Sequence, residues 1–145
     1  AEMKDCPHAV GVDGSEAMIR KAKSIGGGEF HLALLPEWKP SNRFDLVHSM
    51  EFLYYLHDPA SMLKSLHDEW LNNEGVLVAG VDHYLENEDS HDWPSALNVH
   101  MALMSVEQWR QAMINAGFVD VEMHRAAASD DFVGTLVMIG RKQSN

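Results

Sequence analysis

Acidic, imidazole and phenolic side chains follow three apolar segments of this chain, at the point where each segment ends. A carboxylate in such a place can accept hydrogen bonds from two neighbouring hydroxyl groups, which neutral side chains rarely match. An imidazole titrates near neutral pH and can therefore remove a proton from a bound nucleophile. The residues in question are Asp13 after the first segment, Glu51 after the second, and Asp82, His83 and Tyr84 after the third.

Each of these residues also has a structural interpretation. Asp13 can cap the helix that follows it, with Glu16 completing a capping box. Glu51 can be a solvated loop acid. His83 could instead share a zinc ion with His91 and His100, but their spacing fits no short metal motif, and we predict no metal site. Cys6 and the serines show no nucleophile triad, so the sequence does not indicate a covalent enzyme intermediate.

The elements that position these residues alternate between strand and helix. Apolar runs predict strands over 9–12, 30–35, 44–49, 76–81, 119–124 and 135–141. The run over 44–49 is nearly continuous, which is typical of a parallel strand buried on both faces. The pattern predicts an α/β fold: a doubly wound, mostly parallel sheet with a C-terminal antiparallel hairpin, whose ligands bind at the carboxyl ends of the strands.

Capping residues and apolar spacing predict three helices. The first covers 15–25, with a buried stripe of Met18, Ala22 and Ile25. The second begins with Asp58 as N-cap and Pro59 in its first turn, and buries Met62, Leu63, Leu66 and Trp70. The third covers 105–116, opened by a Ser105–Gln108 capping box and ended by Gly117. Residues 72–75 predict a turn, and the polar, aromatic stretch 82–98 predicts a loop or lid.

Length and composition limit the possible functions. The 145 residues predict one domain, 1–145, with ordinary globular composition: 46% apolar and 23% charged. The formal charge of −11 disfavours nucleic acid and anionic membranes as partners. No apolar run reaches membrane-spanning length and no signal peptide is visible. With a single cysteine, Cys6, the chain is expected to be cytoplasmic.

Taken in order, these segments resemble the class I S-adenosylmethionine-dependent methyltransferases, in particular the small-molecule branch. The segments that carry the resemblance are 10–18, 44–51, 55–59, 71–78 and 105–118. The resemblance implies a Rossmann-like fold, S-adenosylmethionine as cofactor, and methyl transfer to a small-molecule acceptor. Such a transfer needs mainly alignment and exclusion of water, because the donor is already activated.

The resemblance also assigns roles to individual residues. Asp13 would hold the ribose hydroxyls, Gly14 and Met18 would flank the adenine, and Leu34 would stand where the family often carries an adenine-binding Asp. The residues Ser49 and Met50 would lie where the methyl group meets the substrate. Glu51 would neutralise the sulfonium or bind a substrate amine, and His83 would act as general base. The aromatic residues expected to contact the substrate are Tyr54, Tyr55, Tyr84 and Trp93, although one of Tyr54 and Tyr55 is expected to pack in the helix.

The family's first strand and Gly-rich loop have no counterpart, because only eight residues precede Ala9. We expect the sequence to be a fragment, the sheet to re-pair, or a second copy of the chain to cover the exposed edges in a homo-oligomer. The alternative function is therefore a non-catalytic methyltransferase remnant that acts as a binding or assembly module. A dehydrogenase-like dinucleotide binder shares the strand-exit acid but explains neither 44–51 nor 105–118.

Overall fold

The computed structural model describes residues 8–144, so Cys6 and the rest of the segment upstream of His8 lie outside the described residues. The strands are β1 (Val10–Asp13), β2 (Glu29–Leu32), β3 (Phe44–Met50), β4 (Leu71–Val81), β5 (Val119–Ala126) and β6 (Thr135–Arg141). The helices are α1 (Glu16–Ile25), α2 (Pro59–Ser65), α3 (Trp93–Leu97) and α4 (Val106–Ala116). Short 3₁₀ turns cover Leu53–Tyr55 and Glu88–Ser90, and a π-helical turn, Leu66–Trp70, extends α2.

The chain divides into two compact units, Ala1–Lys39 and Pro40–Asn145. Whether they behave as the one domain expected from the length stays a prediction. No helix among residues 8–144 combines the length and the apolar composition that crossing a membrane requires.

The first unit is a β-α-β element with β1 and β2 paired in parallel, Val10 opposite Glu29 and Asp13 opposite Leu32. Ser15 caps α1 by accepting a hydrogen bond from the backbone N–H of Met18. The predicted buried stripe of this helix is wrong at two of its three positions: Met18 and Ile25 are 54% and 63% exposed, whereas Ala22 is half-buried and the buried residue of the helix is Ile19.

The second unit contains a four-stranded sheet in the order β3-β4-β6-β5. Strands β3 and β4 are parallel, whereas β6 is antiparallel to both β4 and β5. An α/β fold with a C-terminal antiparallel hairpin is therefore confirmed. Within the described residues, β1 pairs only with β2 and β3 only with β4, so each has one free edge.

Strand β3 is not buried on both faces as its apolar run predicts. Leu46, His48 and Met50 alternate along one face of the strand and are exposed, Leu46 to 60%. Side chains point above and below the sheet, so their burial depends on what packs over each face and not on the apolar character of the strand itself. A continuous apolar run therefore does not distinguish an edge strand from a central one.

The helix signals of the second unit are confirmed. Asp58 accepts a hydrogen bond from the N–H of Ser61, and Pro59 occupies the first turn of α2. The Ser105–Gln108 capping box is present, and Gly117 ends α4 with φ of 112°, which favours glycine. The predicted buried face of α2 and its extension is buried in full: Met62, Leu63, Leu66 and Trp70.

Two connections differ from the prediction. Residues 72–75 belong to β4 as a bulge rather than to a separate turn: the register with β3 shifts there, and Glu74 has φ of 68°. The stretch 82–98 is not a free lid, because four residues of its first half are buried: His83, Tyr84, Asn87 and Ser90. The last two are polar. Their side chains donate to the backbone oxygens of Asp82 and Asn87 respectively, which makes burial of these polar groups possible.

Candidate functional site

The carboxyl ends of the parallel strands β3 and β4 lie side by side, with Met50 opposite Gly80. Glu51, the first residue after β3, donates its backbone N–H to Gly80 O at 2.8 Å. It has φ of 54°, a left-handed conformation that is uncommon for a residue with a side chain. The chain therefore leaves the sheet sharply at Glu51, close to the point where β4 continues into Asp82 and His83.

The Glu51 side chain is held from the next turn of the chain. Tyr54 is buried, and its hydroxyl donates a hydrogen bond to Glu51 Oε2 at 2.6 Å. Burial raises the pKa of the Glu51 carboxyl above its ordinary value, and the negative charge of Asp82 acts in the same direction, while the Tyr54 hydrogen bond opposes them. A carboxyl with a raised pKa can exchange a proton with a bound group more easily than an ordinary glutamate.

His83 is buried, and its Nδ1 lies 3.0 Å from Ser90 O. A carbonyl oxygen only accepts, so Nδ1 carries the proton and Nε2 keeps a free lone pair. Burial lowers the pKa of the His83 imidazole, which favours this neutral form. The ring centroids of Tyr54 and Trp93 lie 5.6 and 6.2 Å from that of His83. The imidazole is thus set up to accept a hydrogen bond or a proton at Nε2.

Buried polar atoms without a hydrogen-bond partner concentrate at these strand ends. Among residues 8–144 there are five such side-chain atoms, and four of them belong to the last residues of β3 or to the residues directly after β3 and β4; the fifth is Trp109 Nε1 in α4. Buried polar groups nearly always have partners, so four orphans from one region indicate a place that a ligand completes. The four atoms are Ser49 Oγ, Glu51 Oε1, Asp82 Oδ1 and His83 Nε2. We call them the orphan cluster.

The four aromatic residues predicted to contact substrate fall into different environments. Tyr54 holds Glu51 through its hydroxyl. Tyr55 is exposed, and its ring centroid lies 4.6 Å from that of Tyr54. Trp93 is half-buried against His83. Tyr84 is fully buried, and its hydroxyl donates to Gly134 O at 2.6 Å. These contacts give Tyr84 a role in holding the fold and offer no support for its predicted contact with substrate.

A second candidate region lies in the first unit, at the carboxyl ends of β1 and β2. Asp13 is exposed, and its Oδ1 accepts a hydrogen bond from the backbone N–H of Ser15 at 2.7 Å. The capping interpretation of Asp13 is therefore wrong, because Ser15 is the N-cap of α1 and Asp13 only binds its backbone. An open groove of about 710 Å³ lies beside it. The groove is lined by Gly14, Glu16, Leu32, Ala33, Leu34, Glu37 and Trp38.

The groove contains two of the predicted cofactor-binding residues of this unit and one that was missed. Gly14 and Leu34 line it, and a Cβ added at Gly14 would lie 3.0 Å from Leu34 Cδ2, so the glycine keeps the floor open. Met18 is exposed but does not line it. Trp38 was not predicted, although an aromatic residue in a polar, proline-bearing connection is a signal that could have identified it. Its ring packs against His31 with centroids 5.1 Å apart.

The three histidines considered as a zinc site do not meet. His83 uses Nδ1 on Ser90 O, as described above. His91 Nε2 lies 2.8 Å from Leu85 O, and His100 Nε2 lies 3.3 Å from Leu56 O. Residues 8–144 contain no group of three or more side chains placed to hold a metal ion.

Comparison with known families identifies the class of protein. A family model for a methyltransferase domain matches residues 1–123, which is most of the chain. The chain therefore belongs to the methyltransferase domain family. A comparison with curated protein sequences yields no match.

Solved structures agree on the fold. The chain is similar to a methyltransferase in a complex with the Haloferax volcanii methyltransferase activator Trm112, with TM-score 0.83, 24% identity, and 99% of this chain and 76% of that chain covered. It is similar to an S-adenosylmethionine-dependent methyltransferase from Mesorhizobium loti, with TM-score 0.75, 21% identity, and 93% and 80% covered. It is also similar to the N-methyltransferase NodS from Bradyrhizobium japonicum bound to S-adenosylhomocysteine, with TM-score 0.70, 17% identity, and 99% and 72% covered.

These findings confirm the predicted family and its Rossmann-like fold. They also confirm S-adenosylmethionine as the cofactor of that family. The residues of the first unit fit the nucleoside part of such a cofactor. Asp13 has a carboxylate oxygen beyond the one bound to Ser15, and the groove beside it has apolar walls.

Proposed function

We propose that this chain is an S-adenosylmethionine-dependent methyltransferase that acts on a small molecule. The observation that carries the proposal is the orphan cluster at the ends of β3 and β4, where ligands of α/β sheets bind. A structural surface has no need of four buried polar atoms that lack partners, since each one costs folding free energy.

The cofactor region is assigned to the end of β1. Asp13 accepts ribose hydroxyls through the oxygen that Ser15 leaves free. Leu34 and Trp38 provide apolar surface for the adenine ring, and Gly14 allows the ligand to approach the backbone. Of the second unit's residues, Ser49 and Met50 are assigned to the reacting end of the cofactor.

The reaction requires few groups of the protein. Bound S-adenosylmethionine supplies a methyl group already activated on a sulfonium. Glu51 and Asp82 place negative charge near the acceptor, and His83 Nε2 accepts the proton that the acceptor loses. Tyr55 and Trp93 contact the acceptor, and the partly buried position of the cluster excludes water.

Calorimetric titration with S-adenosylhomocysteine tests the cofactor half of the proposal. Binding should be measurable for the unaltered chain and should be lost or strongly weakened in Asp13→Ala. Asp130→Ala, an exposed acid in the loop before β6, is the matched control and should bind as the unaltered chain does. A folded protein of the correct mass that does not bind S-adenosylhomocysteine would overturn the proposal.

A non-catalytic binding or assembly module is the second candidate. The observation in its favour is the edge of β3 that pairs with no strand among residues 8–144, with Leu46 and Met50 exposed on the same strand. A homo-oligomer that covers this edge would explain it. Sedimentation of the chain with and without S-adenosylhomocysteine distinguishes the two candidates, because an assembly module should self-associate and ignore the cofactor. Cytoplasmic location and the absence of nucleic-acid and membrane partners stay predictions.

A further inference from the structure

The orphan cluster consists almost entirely of hydrogen-bond acceptors. Glu51 Oε1 and Asp82 Oδ1 are carboxylate oxygens, and His83 Nε2 has a free lone pair because Nδ1 carries the proton toward Ser90 O. Ser49 Oγ alone can also donate. A ligand that satisfies this cluster must therefore bring several N–H or O–H donors to the neighbouring ends of β3 and β4.

The cluster is also negatively charged without compensation. No ion pair formed within residues 8–144 includes Glu51 or Asp82. The hydrogen bonds that the described residues give to the Glu51 carboxylate come from neutral donors, the Tyr54 hydroxyl and the Asp82 backbone N–H. Buried carboxylates are normally paired with a cation, so the missing partner of this cluster should carry positive charge.

We propose that the orphan cluster binds the amine group of the methyl acceptor, so that the substrate is a small primary amine; this inference rests on the proposed methyltransferase function. The ammonium form donates N–H to Glu51 Oε1 and Asp82 Oδ1, and directs a third N–H to His83 Nε2. An alcohol or a phenol offers one donor and no positive charge, and a carboxylate acceptor would be repelled by both acids.

The proton that the ammonium must lose before it can be methylated also has an acceptor in this cluster. The ammonium gives one proton to His83 Nε2, which leaves a neutral amine with a lone pair. Once the amine has rotated this lone pair away from His83, the lone pair would form the new N–C bond with the methyl carbon while the C–S bond breaks and its electron pair stays on sulfur. The methylated product is again a cation, which Glu51 and Asp82 continue to balance until it leaves.

An ammonium in this cluster could also be the amino group of the cofactor, and the test has to separate the two sources. Protein saturated with S-adenosylhomocysteine is titrated with a panel of arylalkyl and alkyl amines, each paired with the alcohol of the same shape. We expect at least one amine to bind the saturated protein about tenfold or more tightly than its matched alcohol. Alcohols that bind as well as their amines would overturn the inference.

Competition identifies the source. Amines that bind only in the absence of S-adenosylhomocysteine would assign the cluster to the cofactor and overturn the acceptor assignment, as would the failure of every amine to bind. S-adenosylhomocysteine is titrated separately, so its failure to bind would refute the proposed function itself, whereas its binding without any amine would refute the substrate class alone.

Variants add a second measurement. Glu51→Gln and Asp82→Asn should each weaken amine binding about tenfold or more while S-adenosylhomocysteine binding changes little. Asp89→Asn, an exposed acid of the same segment, should leave both affinities unchanged. Equal amine affinities in Glu51→Gln and in the unaltered chain would contradict the proposed contact. The comparison of amines with alcohols in the unaltered chain remains decisive should either variant fail to fold.

Discussion

The hydroxyl of Tyr54 donates a 2.6 Å hydrogen bond to Glu51 Oε2, while Glu51 Oε1 is buried without a partner. One oxygen of this carboxylate is therefore fixed by the fold, and the other is left for a ligand. The left-handed backbone at Glu51 and the hydrogen bond from its N–H to Gly80 O fix the same residue from behind. Side chains that bind ligands are commonly oriented in this way by a neighbouring group.

Tyr54→Phe should loosen this arrangement without removing the ring. We expect the free energy of unfolding at neutral pH to fall by about 1–3 kcal/mol, because Glu51 Oε2 would become a second buried oxygen without a partner. The pKa of Glu51 should rise further, since the lost hydrogen bond favours the ionised form. Urea denaturation and carboxyl NMR measure the two effects. Tyr55→Phe, at the exposed neighbouring ring, should show a smaller change in both, and equal effects would contradict the assigned bond.

The raised pKa of Glu51 predicts a pH dependence of stability. Burial raises this pKa above its ordinary value of 4.5, so the folded protein keeps the proton to higher pH than the unfolded chain does. The Glu51 carboxyl therefore contributes most to the free energy of unfolding below pH 4.5, and this contribution falls as the pH rises through the raised pKa.

The measurement compares the unaltered chain with Glu51→Gln in urea at several pH values. The free energy of unfolding of the unaltered chain, minus that of Glu51→Gln, should decrease as the pH rises from 4.5. The lowered pKa of His83 acts in the opposite direction, since stability is lost when that imidazole is protonated on acidification. His83 is present in both proteins and cancels in the difference, so a flat or rising difference would contradict the shift at Glu51.

The sequence predicts the order of elements well and the surroundings of individual residues less well. The predicted helix ends at Asp58 and Gly117 are confirmed. Such ends depend on hydrogen bonds to the backbone of nearby residues, which the local sequence specifies. Burial depends on what lies against a residue, which periodicity does not specify. For this reason Met18 and Leu46 are exposed against expectation.

The candidate site shows the same division. Residues at strand ends could be selected from the sequence because parallel strands bring their carboxyl ends to one edge. The sequence could not predict that Tyr54 would hold Glu51, because it does not reveal that Glu51 itself adopts a left-handed backbone conformation. Nor could it separate Tyr84, bonded to Gly134 fifty residues away, from the aromatic residues near the site.

Tyr84→Phe tests the structural role assigned to that residue. Removal of the hydroxyl leaves Gly134 O without its donor, and we expect a loss of about 1–3 kcal/mol in the free energy of unfolding. The affinities for S-adenosylhomocysteine and for any amine that binds should be unchanged, because the hydroxyl is committed to the fold. Calorimetry on the folded variant measures both. A variant of unaltered stability with weakened ligand binding would restore Tyr84 to the substrate-binding residues.

Gly80 and Met50 are opposite each other in the parallel pair, and the Met50 side chain lies over the glycine. A Cβ added at Gly80 would lie 2.6 Å from Met50 Sδ, so Gly80→Ala forces the methionine to move. We expect the substitution to cost about 1 kcal/mol of stability, at the low end of what overpacking costs, because the atoms in the way are the end of a flexible and exposed methionine side chain. S-adenosylhomocysteine binding should weaken as well, because Met50 is assigned to the cofactor.

In a Met50→Ala background the obstacle is gone, and the stability cost of Gly80→Ala should fall by about 1 kcal/mol in a double-mutant cycle. Additive effects would show that the two residues do not depend on each other, and Met50 would then have no fixed place beside the cofactor.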